Sequence, residues 1–280
     1  MSIQIHPIQT GDVQIKSKHQ VARFHARVAR VFDVLIDRHW SPRLPIGCYL
    51  IEHPEGLIVV DTGESSHAND KGYQPWWHLF MRFCERRWVK PTEEVGERLK
   101  AMGVDPLQVK WVVMTHMHGD HAGGIAHFPN SQFVLSQTEA TACLAKNGVM
   151  QGYLNMHYPS WFKPNGIEFD DGEFESFASS KKLTQDSKIR LVPTPGHTLG
   201  HLSVVVDMGD HYVLLAGDAS YTEESMLKGV VDGVAVDADL HNDSTRRMRV
   251  LCQRKPTITQ FAHDENSGHR LANKVFTVVK

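Results

Sequence analysis

The sequence predicts an α/β layered protein. Apolar runs of strand length recur along the chain, and helix-length segments with capping residues lie between them. Several of the apolar runs also stop abruptly at a histidine or an aspartate beside a glycine. In chain order, YLIEHPEGLIVVDTG reads as a hairpin whose second strand, 57–60, ends at Asp61. PTEEVGERLKAMG (91–103) reads as a helix that closes on Gly103. VKWVVMTH is a strand ending at His116, and SQFVLS is a further strand. QTEATACLAKNG (137–148) is a second helix. KIRLVPTPGH is a strand that stops in a Pro-Gly turn at His197. HLSVVVDMGDHYVLLAGDASY is a second hairpin, ending at Asp218, and DSTRRMRVLCQRK (243–255) is a third helix. LIVVDTG echoes VLLAGDA, and VKWVVMTHMHGDH echoes IRLVPTPGHTLGH, which hints at two similar halves.

The chain has 280 residues, of which 41% are hydrophobic, enough for a sizeable core in one domain spanning 1–280. Its formal net charge of −2 argues against a nucleic-acid partner, which calls for a basic face. The longest apolar runs, such as VLLA at 213–216, fall far short of a membrane span. The N-terminal stretch lacks the order of a signal peptide, so no membrane partner and a cytoplasmic location are expected. Cys48, Cys84, Cys143 and Cys252 form no CxxC pair and read as reduced thiols. Two aromatic insertions interrupt the pattern. Residues 73–90 hold Trp76, Trp77 and Phe80, and residues 149–164 hold Tyr153 and Trp161. They fit satellite packing or a homodimer contact, or else the wall of an apolar substrate pocket.

The 18 histidines are the unusual count, and THMHGDHAGG (115–124) concentrates them. Histidines at i and i+2 do not share a helix face, but they can point the same way at a strand end. His116 and His118 can therefore grip one ion, while Asp120 and His121 reach a second. The other ligand-type residues at strand ends are His197, Asp218 and His263. Seven protein ligands exceed one tetrahedral ion and suit two divalent ions. The expected division gives His116, His118 and His197 to the first ion. Asp120, His121 and His263 go to the second, with Asp218 bridging beside a hydroxide. Two dications against two carboxylates and a hydroxide leave a residual charge of about +1, which acidifies the bridging water. Imidazole and carboxylate ligands without thiolate fit zinc first, and also iron(II), cobalt or manganese. His201 reads as support for a ligand, whereas His127, His157, His211 and His269 carry no ligand role.

These elements resemble the metallo-β-lactamase superfamily. VVDTG (59–63), THMHGDHAGG (115–124), PTPGHTLGH (193–201), GDAS (217–220) and AHD (262–264) match in order over residues 45–265. The resemblance implies an αββα sandwich with a dinuclear site at the sheet edge. Within the superfamily, GDASYTEES (217–225) and the His263–Asp264 pair look most like the N-acyl homoserine lactone hydrolases, the quorum-quenching lactonases. The matching tyrosine, Tyr221, is then expected to donate a hydrogen bond to the substrate. One feature departs: Gly119 stands where those lactonases often carry a bulky apolar residue that contacts the acyl chain.

The expected function is hydrolysis of a lactone or ester with an apolar tail by a metal-bridging hydroxide. Tyr221 and Asp120 are the expected catalytic side chains, Asp120 as a proton shuttle. The near alternatives are a thioesterase of the glyoxalase II kind and an aryl- or phosphotriester hydrolase. A non-catalytic metal-binding protein is the remaining alternative, and the complete ligand set speaks against it.

Overall fold

The computed structural model describes residues 3–280. Its strands are β1 (Gln4–Ile15), β2 (Leu44–His53), β3 (Gly56–Val60), β4 (Glu85–Trp88), β5 (Val109–Val113), β6 (Gln132–Ser136), β7 (Asn165–Ile167), β8 (Lys181–Lys182), β9 (Ile189–Pro193), β10 (Leu202–Asp207), β11 (Tyr212–Leu215) and β12 (Thr257–Gln260). Its α-helices are α1 (Ser17–Gln20), α2 (Arg27–Ile36), α3 (Leu79–Cys84), α4 (Val95–Ala101), α5 (Gly119–Ala122), α6 (Gln137–Leu144), α7 (Glu223–Lys228), α8 (Ala238–Arg254) and α9 (Ser267–Ala272). The chain divides into two compact units. One runs through Lys16 and resumes over Arg38–Gly166; the other comprises Ser17–Asp37 and Ile167–Lys280.

The first unit is built on a seven-stranded sheet in the order β4-β1-β2-β3-β5-β6-β7. β3 is an unbroken apolar run, and Ile58, Val59 and Val60 are all buried, as in a strand covered on both faces. β3 and β5 pair in parallel, with Val60 opposite Val113. Parallel pairing sets both strand ends, and so Asp61 and the 114–121 turn, at one edge of the sheet. Leu50, Val59, Val112, Met114, Phe128 and Leu135 form the centre of the core.

The second unit holds a five-stranded sheet in the order β12-β11-β10-β9-β8. β11 and β12 pair in parallel, with Leu215 opposite Gln260. β10 is antiparallel to both β9 and β11. The end of β9, the start of β10 and the ends of β11 and β12 therefore share one edge. His197, Asp218 and His263 emerge from these segments.

Both sheets contain the same succession: two antiparallel pairings, then one parallel. It runs β1-β2-β3-β5 in the first and β9-β10-β11-β12 in the second. LIVVDTG and VLLAGDA do occupy equivalent places, β3 and β11. The counterpart of β5, however, is β12 and not the strand before His197.

Among the elements that the sequence expectations did not include, β1 and α2 run against local sequence signals. β1 is the longest strand although it contains Pro7 and Gly11. It tolerates them through a register shift between Gln9 and Asp12, with Gly11 at φ 108°. Helix α2 is patterned inside out. It buries Arg30, Asp33 and Val34 and exposes Val28, Phe32, Leu35 and Ile36. The Arg30 guanidinium donates to the His25 carbonyl and to the Ala235 carbonyl, the latter at 2.6 Å. All four cysteines are free.

Gly63 adopts φ 66°, and a Cβ there would lie 2.0 Å from Thr10 Oγ1. Gly63→Ala is expected to cost on the order of 1–3 kcal/mol of stability. Denaturant unfolding measures this, and an unchanged midpoint would refute it.

Candidate metal centre

In the first unit the ligand turn follows β5. Thr115, His116, Met117 and His121 are buried, and Asp120 is half-buried in the first turn of α5. His116 Nε2 lies 3.1 Å from His118 Nδ1, and the His116 and His121 rings are 4.1 Å apart. The outer nitrogens have protein partners. His116 Nδ1 meets Thr115 Oγ1 at 3.2 Å, and His118 Nε2 donates to the Gln151 carbonyl at 3.0 Å. His121 Nδ1 donates to Asp61 Oδ2 at 2.9 Å. These partners select the tautomers that direct His116 Nε2, His118 Nδ1 and His121 Nε2 toward a cation.

Asp61 was legible as a strand end and as part of the VVDTG element, with no role assigned, yet it organises this turn. It has φ 60° and also accepts from Thr115 N–H (2.7 Å) and Thr115 Oγ1 (2.8 Å). Thr62 N–H and Oγ1 both donate to the His121 carbonyl, and Gly63 accepts from Gly123 N–H. Next in line, the buried Glu64 carboxylate pairs with Arg87 Nε at 2.7 Å. Burial pushes the Glu64 carboxyl up to about 7, with Arg87 opposing that rise.

The second unit gathers His197, Asp218 and His263. Asp218 Oδ2 lies 3.6 Å from His197 Nε2 and 3.5 Å from His263 Nε2. His197 Nδ1 meets Asp232 Oδ2 at 3.2 Å, which fixes Nε2 as the inner nitrogen. Burial would raise the Asp232 carboxyl, but His197, His241 and His19 outweigh it and hold it at about 2. His201 Nε2 accepts the Asp218 backbone N–H at 3.1 Å, as its supporting role required. Tyr221 is only 5% exposed. Its ring meets His263, His197 and His19 edge-on, with centroids 5.4, 6.0 and 5.9 Å away.

The donor set fits a metal. Ligands about 2.0–2.1 Å from a tetrahedral ion sit roughly 3.3 Å from one another. The 3.1 Å His116–His118 separation and the 3.5–3.6 Å separations around Asp218 match that edge.

The aromatic insertions divide. Tyr153 is buried, and its ring lies 5.6 Å from that of His118. Gly152, at φ 92°, brings its backbone against the His118 ring, where a Cβ would lie 2.9 Å from Cδ2. The 149–164 segment is thus anchored on a candidate ligand. Trp161 packs on Phe133. Trp76 and Trp77 are 77% and 43% exposed, and Phe80 is half-buried. Trp76 lines an open groove with Met81, Arg82, Arg86 and Trp88, and none of the first unit's candidate ligands borders it. At Gly119 a Cβ would meet Leu154 Cδ1 at 3.3 Å, so Leu154 occupies the space a bulky side chain would need.

The metallo-β-lactamase superfamily model matches residues 42–263. The chain belongs to the metallo-β-lactamase superfamily. The structure shows that fold, with its two sheets, and the protein is a metal-dependent hydrolase with lactonases among its relatives. The N-acyl homoserine lactonase AiiA of Bacillus thuringiensis subsp. kurstaki is 31% identical over 227 residues, 79% of this chain and 82% of that protein. The N-acyl homoserine lactonase AttM of Rhizobium johnstonii is 25% identical over 236 residues, again 79% and 82%. Among solved structures, an N-acyl homoserine lactone hydrolase with N-hexanoyl-L-homoserine at its catalytic metal centre superposes with a TM-score of 0.77. It is 25% identical, and 96% of each chain is covered. The dizinc quorum-quenching lactonase AidC shares the fold, with a TM-score of 0.65, 15% identity, and 94% and 88% coverage.

For this superfamily member the sequence reading missed the carboxylates behind the ligands. Asp61 carried one signal, an aspartate closing an apolar strand beside Thr-Gly. Asp232, in a loop 35 positions from His197, carried none. Asp61→Asn and Asp232→Asn are each expected to weaken metal binding by about 10–100-fold. Dialysis against buffered zinc followed by elemental analysis measures this, and unchanged affinity in either variant would remove that residue from the site.

Proposed function

We propose that this protein opens the lactone ring of N-acyl homoserine lactones. The carrying observation is the pair of donor clusters with Tyr221 edged by two of the donors, in a chain 31% identical to such a lactonase. His116, His118 and His197 hold one ion, and Asp120, His121 and His263 hold the other. Asp218 serves both; its Oδ2 lies at near-equal distances from His197 and His263. The metal is zinc by donor type. When bound, the ions acidify a water toward neutrality and polarise the substrate carbonyl.

The chain's own residues do the rest. The Tyr221 phenol donates to the oxygen that turns anionic as the carbonyl is attacked. Asp120, half-buried at the start of α5, carries a proton to the leaving ring oxygen. Asp61 and Asp232 hold His121 and His197 in orientation. Of the two aromatic insertions, the 149–164 segment, which carries Trp161 and reaches His118 through Tyr153, is the one that offers apolar surface to the acyl tail, with Leu154 seated over Gly119. The exposed aromatics of 73–90 also suit a homodimer contact.

Metal-loaded protein offered lactones of graded acyl length is expected to open the ring. Turnover of a thioester or phosphotriester in place of every lactone would overturn the reading. Chelation is expected to abolish activity, and re-addition of zinc to restore it. Tyr221→Phe is expected to keep its metals and lose about 10-fold or more in kcat. An unchanged rate would remove Tyr221 from the chemistry.

A further inference from the structure

Residues 61–64 meet the ligand turn in sequence. Asp61 binds Thr115 and His121, Thr62 binds the His121 carbonyl, and Gly63 binds Gly123 N–H. Glu64 is the fourth member. Its carboxylate is fully buried, accepts the Ser65 N–H at 2.9 Å and pairs with Arg87 at 2.7 Å. Its Oε2 lies 3.6 Å from where a Cβ on Gly119 would sit, beside Asp120. Arg87, on β4, is also buried and pairs with Glu85 as well. Both Glu64 and Arg87 feel the charge of Asp120. Glu64 and Glu85 thus pair with one guanidinium, and the turn that carries Asp120, a proposed metal ligand, packs against Glu64.

We propose that Glu64 is a positioning residue that, together with Glu85, neutralises Arg87 and so leaves Asp120 to the second cation. This rests on the dinuclear reading above. A guanidinium does not lose its proton, and a buried one requires counter-charge. With Glu64 neutral, Arg87 draws on the carboxylates that remain, Glu85 and Asp120. Any attraction between Arg87 and Asp120 is subtracted from the hold on the ion, and burial makes that attraction strong. Glu64 acts through Arg87 and does not touch substrate.

The test compares wild type, Glu64→Gln, Arg87→Met and the double variant Glu64→Gln/Arg87→Met at pH 8. Binding is read by dialysis against buffered zinc with elemental analysis, and by the absorption spectrum of the cobalt-loaded protein. Glu64→Gln keeps the shape and removes the charge. It is expected to bind the first ion normally and the second about 10-fold or more weakly. The double variant, which also removes the Arg87 charge, is expected to recover two-ion binding and the wild-type cobalt spectrum. Arg87→Met is expected to hold the second ion at least as tightly as wild type. Two-ion binding by Glu64→Gln equal to wild type overturns the inference. So does a double variant as defective as the single, or loss of the second ion in Arg87→Met. Should Glu64→Gln fail to fold, the other two variants still decide. A wild-type chain that binds fewer than two ions overturns both this inference and the dinuclear reading. Two ions in wild type with an unaffected Glu64→Gln overturns this inference alone.

Discussion

Asp61 sits in a left-handed backbone conformation that side-chain-bearing residues seldom adopt, and its buried carboxylate accepts from Thr115 twice and from His121 once. Much else depends on this arrangement. The strain turns the chain out of β3 so that the carboxylate faces the end of the neighbouring parallel strand. The hydrogen bonds then fix the backbone entering the ligand turn and the ring of one candidate ligand. Thr62, Gly63 and Glu64 follow the same turn because Asp61 has set their direction. A metal ligand held this way needs little reordering when an ion arrives, which is why the outer partners matter to affinity.

The second sheet solves the same problem with different residues. A parallel strand pair again presents its ends at one edge, here with Asp218 after β11 and His263 after β12. Asp232 does for His197 what Asp61 does for His121, and His201 holds the backbone of Asp218. Both units therefore place donors at strand ends and steady them with buried polar groups. The repeated pairing succession supplies the edge; the individual side chains supply the chemistry.

Much of this was legible in the sequence, and for identifiable reasons. β3, β5, β9, β10 and β11 are apolar runs bounded by turn residues, and such signals are local. Ser136 caps α6 through its hydroxyl, accepting from Glu139 N–H, as its place before the helix implied. β1 was hidden because Pro7 and Gly11 read as strand breakers, and only the bulge and a neighbouring strand make them acceptable. Helix α2 was hidden because its buried face is polar, so the usual apolar period points the wrong way. Arg87 stands beside Arg86 in ERRW, and nothing nearby in sequence marks it as buried.

By itself, the sequence determined the inventory of candidate ligands and their places at or just beyond strand ends. Apolar alternation and glycine turns act over a few residues, and the histidine-aspartate run has no use in a core. Tertiary structure alone decided which nitrogen of each histidine turns inward, which carboxylates stand behind the ligands, and where Arg87 finds its counter-charges. Those outcomes depend on contacts between residues far apart in the chain, such as the 60 positions separating Asp61 from His121. A single sequence encodes such contacts only through the fold.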